Sequence, residues 1–583
     1  MSTTLLDRTP TEPEPELEST PRKKPLLTFG GVCWIVAAIV VFLILYPLVR
    51  TTLGMLGIGT DAAQLGQMWA TFWQRSTLTM TVNTVLAVGI AGIGALAAGA
   101  LFAWANERTD ARLGFAARSL PLIPMFIPSI AAAVGWVFLA SSNAGLLNVL
   151  IRNVLGTVGI EITDGPLNIH SWPGLIFAYF LFLTPYAYLT ISSGLQSLDP
   201  ALEEASRSSG ASAFTTFRRV TLPSLRPSLA ASVLLIATMG FALFSIPLVI
   251  GTPAGIDVLP VEIVHMVAHE YPSNKAGALG LSAVVVAVVA LCWMLQRRLV
   301  RSGGHATISG RGARSAALQL GRWRWPVRIA MLGFMALTAV LPLLGLIAVS
   351  LQSYWTANFS FSSLTLSNYE SLFDNELVWG GLQNSVVLAA IGATAAIIAG
   401  ALITMAVESR RSKVTQTLDG IVKIPATLTH IIIAVAFVVA FAGAPFYLVG
   451  TYAILLLAYI VLYIPQATFY SSAAYHQVGR QLTEASATSG AAAWTTFRRV
   501  LLPLMAPGLI AGWSLLFVLI TGDITASSML AGTHTPVVGF VILDLWTSGT
   551  YPRLAALGVL MTVVASTVVL TVMWLRDKLR LVL

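Results

Sequence analysis

Long apolar runs alternate with short polar ones along almost the whole chain. Twelve windows are nearly free of charge, near residues 30–50, 80–104, 120–140, 174–194, 229–250, 276–296, 327–350, 384–406, 424–443, 450–470, 507–529 and 554–575. A bilayer core of about 30 Å is crossed by roughly 20 residues of helix at about 1.5 Å each, and each window has that length. Backbone polar groups in lipid must be satisfied within their own segment, so each window predicts a helix. The pattern predicts an all-α membrane protein with about 12 transmembrane helices.

The polar stretches carry a repeat. Residues 202–229 and 482–509 align at a constant offset of 280 with 18 of 28 positions identical. Asn83-Thr84-Val85 returns as Asn384-Ser385-Val386, and Ile123-Pro124 as Ile424-Pro425, both at offset 301. Pro185 returns as Pro465 at offset 280. The 21 residues between the two offsets fall in the loop 141–172, which the second half shortens to a few residues around Gly443–Gly450. Two parallel six-helix domains follow, over 30–296 and 327–583. An Arg-, Gly- and Ser-rich stretch at 297–326 reads as a flexible linker. Parallel repeats place a transport pathway at the interface between halves.

Composition agrees, with 56% apolar and only 10% charged residues. The net charge of +9 suggests an anionic partner until its distribution is read. With the N-terminus inside, 29 of the 34 Lys and Arg residues fall in inner segments, leaving Arg50, Arg75, Arg152, Lys275 and Arg553. That positive-inside bias places both termini in the cytoplasm and makes a nucleic-acid partner unnecessary. Cys33 and Cys292 lie in apolar runs and read as packing residues. Residues 1–29 begin with an acidic, Pro-rich tail. Arg22, Lys23 and Lys24 then precede an apolar run too long for a cleaved signal, which predicts a retained first helix.

Each repeated loop has one spacing: Glu204-Ala205-Ser206, Gly210, Val220-x-Leu222-Pro223, and again Glu484-Ala485-Ser486, Gly490, Val500-x-Leu502-Pro503. The Glu-Ala segment favours helix. The glycine permits a turn that other residues resist, and a second short helix follows. Pro223 and Pro503 are expected to end it. Phe217 and Phe497 are expected to form an apolar knob flanked by Arg218, Arg219, Arg498 and Arg499, although positive-inside charge explains the arginines equally well.

These residues resemble the EAA loop of ATP-binding-cassette (ABC) importer permeases: Glu-Ala-Ala, three residues, Gly, nine residues, Ile-x-Leu-Pro. Ser206 and Ser486 replace an alanine, and Val replaces Ile. The resemblance covers the chain from about residue 30 as a fusion of two permease domains. It implies a type I importer in the inner membrane whose two loops each insert into one copy of an ATPase subunit. No GxxxxGK[ST] loop is present, so ATP and Mg are expected on that partner, and this chain is expected to be no enzyme and to hold no cofactor or metal. Substrate capture then falls to an extracytoplasmic binding protein. Fused permeases of this kind resemble ferric-iron and thiamine importers. The segments 141–172, 244–253 and 541–560 look like the ferric-iron group, with polyamine and phosphonate permeases as alternatives.

A secondary transporter with the same helix count is the rival class, and it expects intramembrane charges for ion coupling. Asp523 is the one carboxylate near a window, read either as the outer end of the eleventh helix or as a gate. His430 aligns with Ser129 and is a second pathway candidate. Pro185 and Pro465 are candidate pivots, and Asn83 and Asn384 candidate interhelical hydrogen-bonders. Glu262, His265, His269 and Glu270 place two histidines on one helix face. Asp544 without a histidine pair occupies the second half, so a symmetric metal site is not expected.

Overall fold

The computed structural model describes residues 29–58, 62–113, 127–301, 318–356, 361–409, 412–478 and 480–580. Residues 1–28, the Ile123-Pro124 pair and most of the linker, 302–317, lie outside them. In the first half the main helices are α1 (Phe29–Met55), α2 (Arg75–Arg108), α3 (Ser129–Ala140), α4 (Trp172–Ser197), α5 (Pro200–Ser208), α6 (Arg226–Ala242), α7 (Leu259–Ala268) and α8 (Lys275–Arg301). In the second they are α9 (Gly321–Ser350), α10 (Glu376–Ser409), α11 (Lys413–Thr427), α12 (His430–Phe441), α13 (Tyr452–Val478), α14 (Arg480–Thr488), α15 (Leu502–Thr521), α16 (Val538–Thr547) and α17 (Tyr551–Arg580). Among the described residues 9 helices can cross a membrane, or up to 12 if each bent pair is one span. The isolated bridge Thr109–Leu318 is the nearest approach to a strand among them.

Three windows are not the straight helices the pattern predicts. The window 424–443 is two helices, α11 and α12, bent by 106°. The window 229–250 stops at Ala242, and its end forms a separate wide turn at Pro247–Gly251. The window 507–529 stops at Thr521 and restarts as Thr525–Leu530. Two of the three breaks have a side-chain acceptor beside them. Thr429 Oγ1 accepts from the Ile432 amide at 3.4 Å, and Asp523 Oδ2 accepts from Ala526 at 3.0 Å. Hydropathy cannot register a bend whose freed groups are capped by such short polar side chains. Helix α8 runs to Arg301, past the expected boundary at 296, and Leu318–Leu320 dock against Thr109 and Asp110 at the end of α2.

Within each half the second and fourth helices pair, α2 with α4 and α10 with α13. The repeat explains how closely. A Cβ on Gly99 would lie 2.6 Å from that of Ala187, and one on Gly400 would lie 2.8 Å from the Ala467 backbone. Small residues let these backbones approach where lipid offers no hydrophobic drive to association. Between halves the packing is reciprocal. The first helix α1 packs on α10, α11 and α12, while α9 packs on α3. Likewise α8 touches α12 and α17 touches α3. Most of the buried core is consequently one cluster spanning both halves, beside a small one in the first half around Ala103, Tyr188, Leu195 and Leu225.

The α3–α9 crossing is made backbone to backbone. A Cβ on Gly345 would lie 2.8 Å from the Gly135 carbonyl, and one on Gly135 would strike Pro342. Gly135→Val should therefore open this crossing and lower the melting midpoint by on the order of 5 °C, read by fluorescence-detected size exclusion. Gly156→Ala, which meets nothing within 4 Å, is the control expected to leave it unchanged.

Candidate functional site

The two repeated loops fold as the same elbow at one end of the bundle. Asp199 caps the first arm, α5, by accepting from the Ala201 amide at 2.9 Å. The arm ends at Gly210, whose φ of 85° suits glycine. The Ala211 amide then reaches back to the Ser206 carbonyl at 3.2 Å and the Gly210 amide to Arg207 at 2.9 Å, a Schellman closure. The second elbow repeats it with Gly490 at φ 74° and Ala491 bonding Ser486 at 3.2 Å. A hydroxyl pair then ties the arms, Ser206 to Thr216 at 3.0 Å and Ser486 to Thr496 at 2.8 Å. The serines that depart from the Glu-Ala-Ala pattern are thus one side of a latch, an assignment that spacing alone did not reveal.

Glu204, Ala205, Glu484 and Ala485 are exposed, as are all four arginines. The knob differs from the expectation. Phe497 is buried, stacked on Phe29 at 5.0 Å, and Phe217 is half-buried beside Trp104 at 6.1 Å. The aromatics that protrude are Phe214 and Trp494, 72% and 51% exposed, three residues earlier. In the first elbow the second arm does end at Pro223, stopping at Ser224 with α6 leaving at 66°, but in the second elbow it does not. Pro503 lies in the first turn of α15, and the chain runs helically from Ala493 to Thr521. Widened π turns at Phe217–Thr221 and Phe497–Leu501 precede each proline and absorb its missing donor.

The elbows are anchored differently. Glu203 is buried, 3.0 Å from Arg108 Nε at the end of α2, and accepts from Thr221 Oγ1 at 2.8 Å. The repeat aligns Thr483 and Ser409 with Glu203 and Arg108 in sequence, and in the second half the Phe29–Trp494–Phe497 stack holds the elbow against α1.

The other candidates divide into two sites. Asn83 donates to the Asp257 carbonyl at 2.9 Å, and Thr84 accepts from the Leu259 amide at 3.0 Å. Asn384 and Ser385 do the same for Pro536 and Val538, at 2.9 and 2.7 Å. The repeated Asn-Thr/Ser pair is a clamp for the N-termini of α7 and α16 and does not line the central cavity. Pro185 and Pro465 are buried inside helices that continue past them, so the sharp bends fall elsewhere.

His430 and Asp523 come together. They line a cavity of about 150 Å³ between the halves, walled also by Ser129, Ser245, Pro185 and Tyr463. His430 Nδ1 is 3.4 Å from Asp523 Oδ1, and the carboxylate is buried. Asp523 is therefore an internal residue at a helix break. At the far end of the bundle, donor atoms of Glu262, His265 and Glu270 lie within 4.8 Å of one another, and His269 stacks on His265 at 5.9 Å. These groups sit on or just after α7, which turns back by 99° rather than continuing across. Burial raises the Glu262 carboxyl, opposed by His265 and reinforced by Glu270 and Asp257.

The profile of the family described as binding-protein-dependent transport system inner membrane component matches residues 93–302 and again 392–580. A ferric transport system permease protein of Actinobacillus pleuropneumoniae is 25% identical over 558 residues, 94% of this chain and 79% of its own length. A putative ferric transport system permease protein of Haemophilus influenzae is 25% identical over 506 residues, 86% of this chain and 77% of its own. A spermidine/putrescine transport system permease protein of Haemophilus influenzae is 28% identical over 206 residues, 35% of this chain and 79% of its own.

Glu203→Ala leaves Arg108 buried without its partner, a loss on the order of 3 kcal/mol. Limited trypsin digestion should then cut the first elbow about tenfold faster, at Arg207, Arg218 or Arg219, and leave the second elbow unchanged.

Proposed function

Since this chain belongs to the binding-protein-dependent transport system inner membrane component family, and holds both permease halves of an ABC importer in one polypeptide, we propose that it carries ferric iron across the inner membrane. Two copies of an ATPase subunit drive it from the cytoplasmic side, and an extracytoplasmic binding protein delivers the ion. Both termini are cytoplasmic in this reading, as the positive-inside bias requires.

The observation that carries the coupling is the pair of elbows. Two copies of one rigid shape, latched by Ser206–Thr216 and Ser486–Thr496, present exposed Glu-Ala faces and the aromatics Phe214 and Trp494 at one end of the bundle. A symmetric ATPase dimer has two such grooves to offer, and closing them on ATP and Mg would move both elbows together. Hydrolysis belongs to that partner. Each elbow connects to the break after α6 or α15, so its displacement reaches the central cavity through one helix.

Coverage supports iron as the cargo. Relatives named for ferric transport align with nearly the whole chain, and the polyamine relative with about a third. Polyamine, thiamine and phosphonate remain the alternatives if iron fails.

Glu204→Ala combined with Glu484→Ala should cut uptake of radiolabelled ferric iron at least about tenfold while membrane levels stay normal. Normal uptake by that variant contradicts the coupling role. Collapsing the proton gradient at constant ATP should leave uptake by the wild type intact, and immediate loss would favour a secondary transporter.

A further inference from the structure

One contact is made twice in this fold, with different chemistry. It joins the first residue of α3 or α12 to the residue just before the isoleucine that starts the turn after α6 or α15. In the first half it is Ser129 Oγ against Ser245 Oγ at 2.6 Å. In the second it is His430 Nδ1 against Asp523 Oδ1 at 3.4 Å. The first half therefore shows that two hydroxyls satisfy the packing. A carboxylate in the same place has to be stripped of water, which packing alone does not require. Ionisable groups inside a membrane bundle mark ion pathways.

Both pairs face the cavity between the halves. Apart from them its wall is largely apolar, with Phe182, Met239, Leu243, Val518 and Met561, and no Lys or Arg is found among its described lining residues. Asp523 is the one carboxylate among the described lining residues. Asp523 Oδ2 is held by the amides of Ala526 and Ser527 at 3.0 and 3.3 Å, which turns Oδ1 toward His430. Tyr463 stands edge-on to the imidazole at 5.6 Å and limits its rotation. Donors 3.4 Å apart can both lie about 2.1 Å from one metal ion, at an angle that a small rotation of either side chain closes toward the roughly 90° of a six-coordinate ion.

We propose that the cavity is a transient station for the transported metal cation, with Asp523 Oδ1 and His430 as its protein ligands and water in the remaining positions. The station rests on the ferric reading above. Two ligands bind loosely enough to release the ion when the elbows move, which conduction through a pathway requires. The hydroxyl pair opposite supplies hydrogen bonds to the water shell without adding charge.

The test replaces both ligands by the other half's solution, His430→Ser with Asp523→Ser. That variant reproduces a contact this fold already makes, and Ser also caps helices. With the ATPase and binding protein present, it should reach wild-type membrane levels and keep ATP hydrolysis, yet lose radiolabelled ferric uptake at least about tenfold. Equilibrium binding of ferric citrate to the purified full chain should drop in parallel. Uptake within about twofold of wild type, with wild type active, overturns the station and leaves the ferric reading standing. A wild type that imports no ferric iron overturns the reading and the station together.

Discussion

A backbone amide that leaves a helix inside a bilayer finds no water, so every break in a transmembrane segment must be answered by a group already nearby. In this protein the third and fifth helices of the second half both break inside the bundle, and so does the fifth of the first half. The answers are short polar side chains: Thr429 at the start of α12, Asp523 before Thr525–Leu530, and Thr84 and Ser385 at the N-termini of α7 and α16. The breaks create the cavity between the halves, because a helix that stops at Thr521 leaves room that a continuous one would fill. They also connect each elbow to that cavity through a single helix, α6 or α15.

The two halves interlock through their first helices. With α1 on the second half and α9 on the first, the main core is shared between the halves. That arrangement lets the elbows and the cavity behave as parts of one body. The glycine contacts at Gly99, Gly400, Gly135 and Gly345 set the spacing, since each is a place where a methyl group would meet backbone or a neighbouring Cβ.

The departures from twofold symmetry are as informative as the repeat. One elbow is anchored by the Arg108–Glu203 ion pair and the other by an aromatic stack on Phe29. One side of the cavity is a pair of hydroxyls and the other an imidazole and a carboxylate. On the proposed reading, symmetry is needed where the elbows would meet a symmetric ATPase and is not needed where the cavity would meet the cargo.

Fold class, the two parallel repeats and the positions of both elbows were legible in the residues, because apolar length, repeat offset and the Gly-x₉-Val-x-Leu-Pro spacing are properties of the chain itself. Glu204, Gly210, Glu484 and Gly490 belong to that set. The pairing of His430 with Asp523, 93 positions apart, was not legible, nor was the burial of Phe497 or the clamp role of Asn83 and Asn384. Hydropathy measures how well a segment suits lipid and is blind to where a helix bends or which face turns inward. Those were decided by the packing of one half on the other, which brings distant polar groups to the same break and leaves each with the partner it needs.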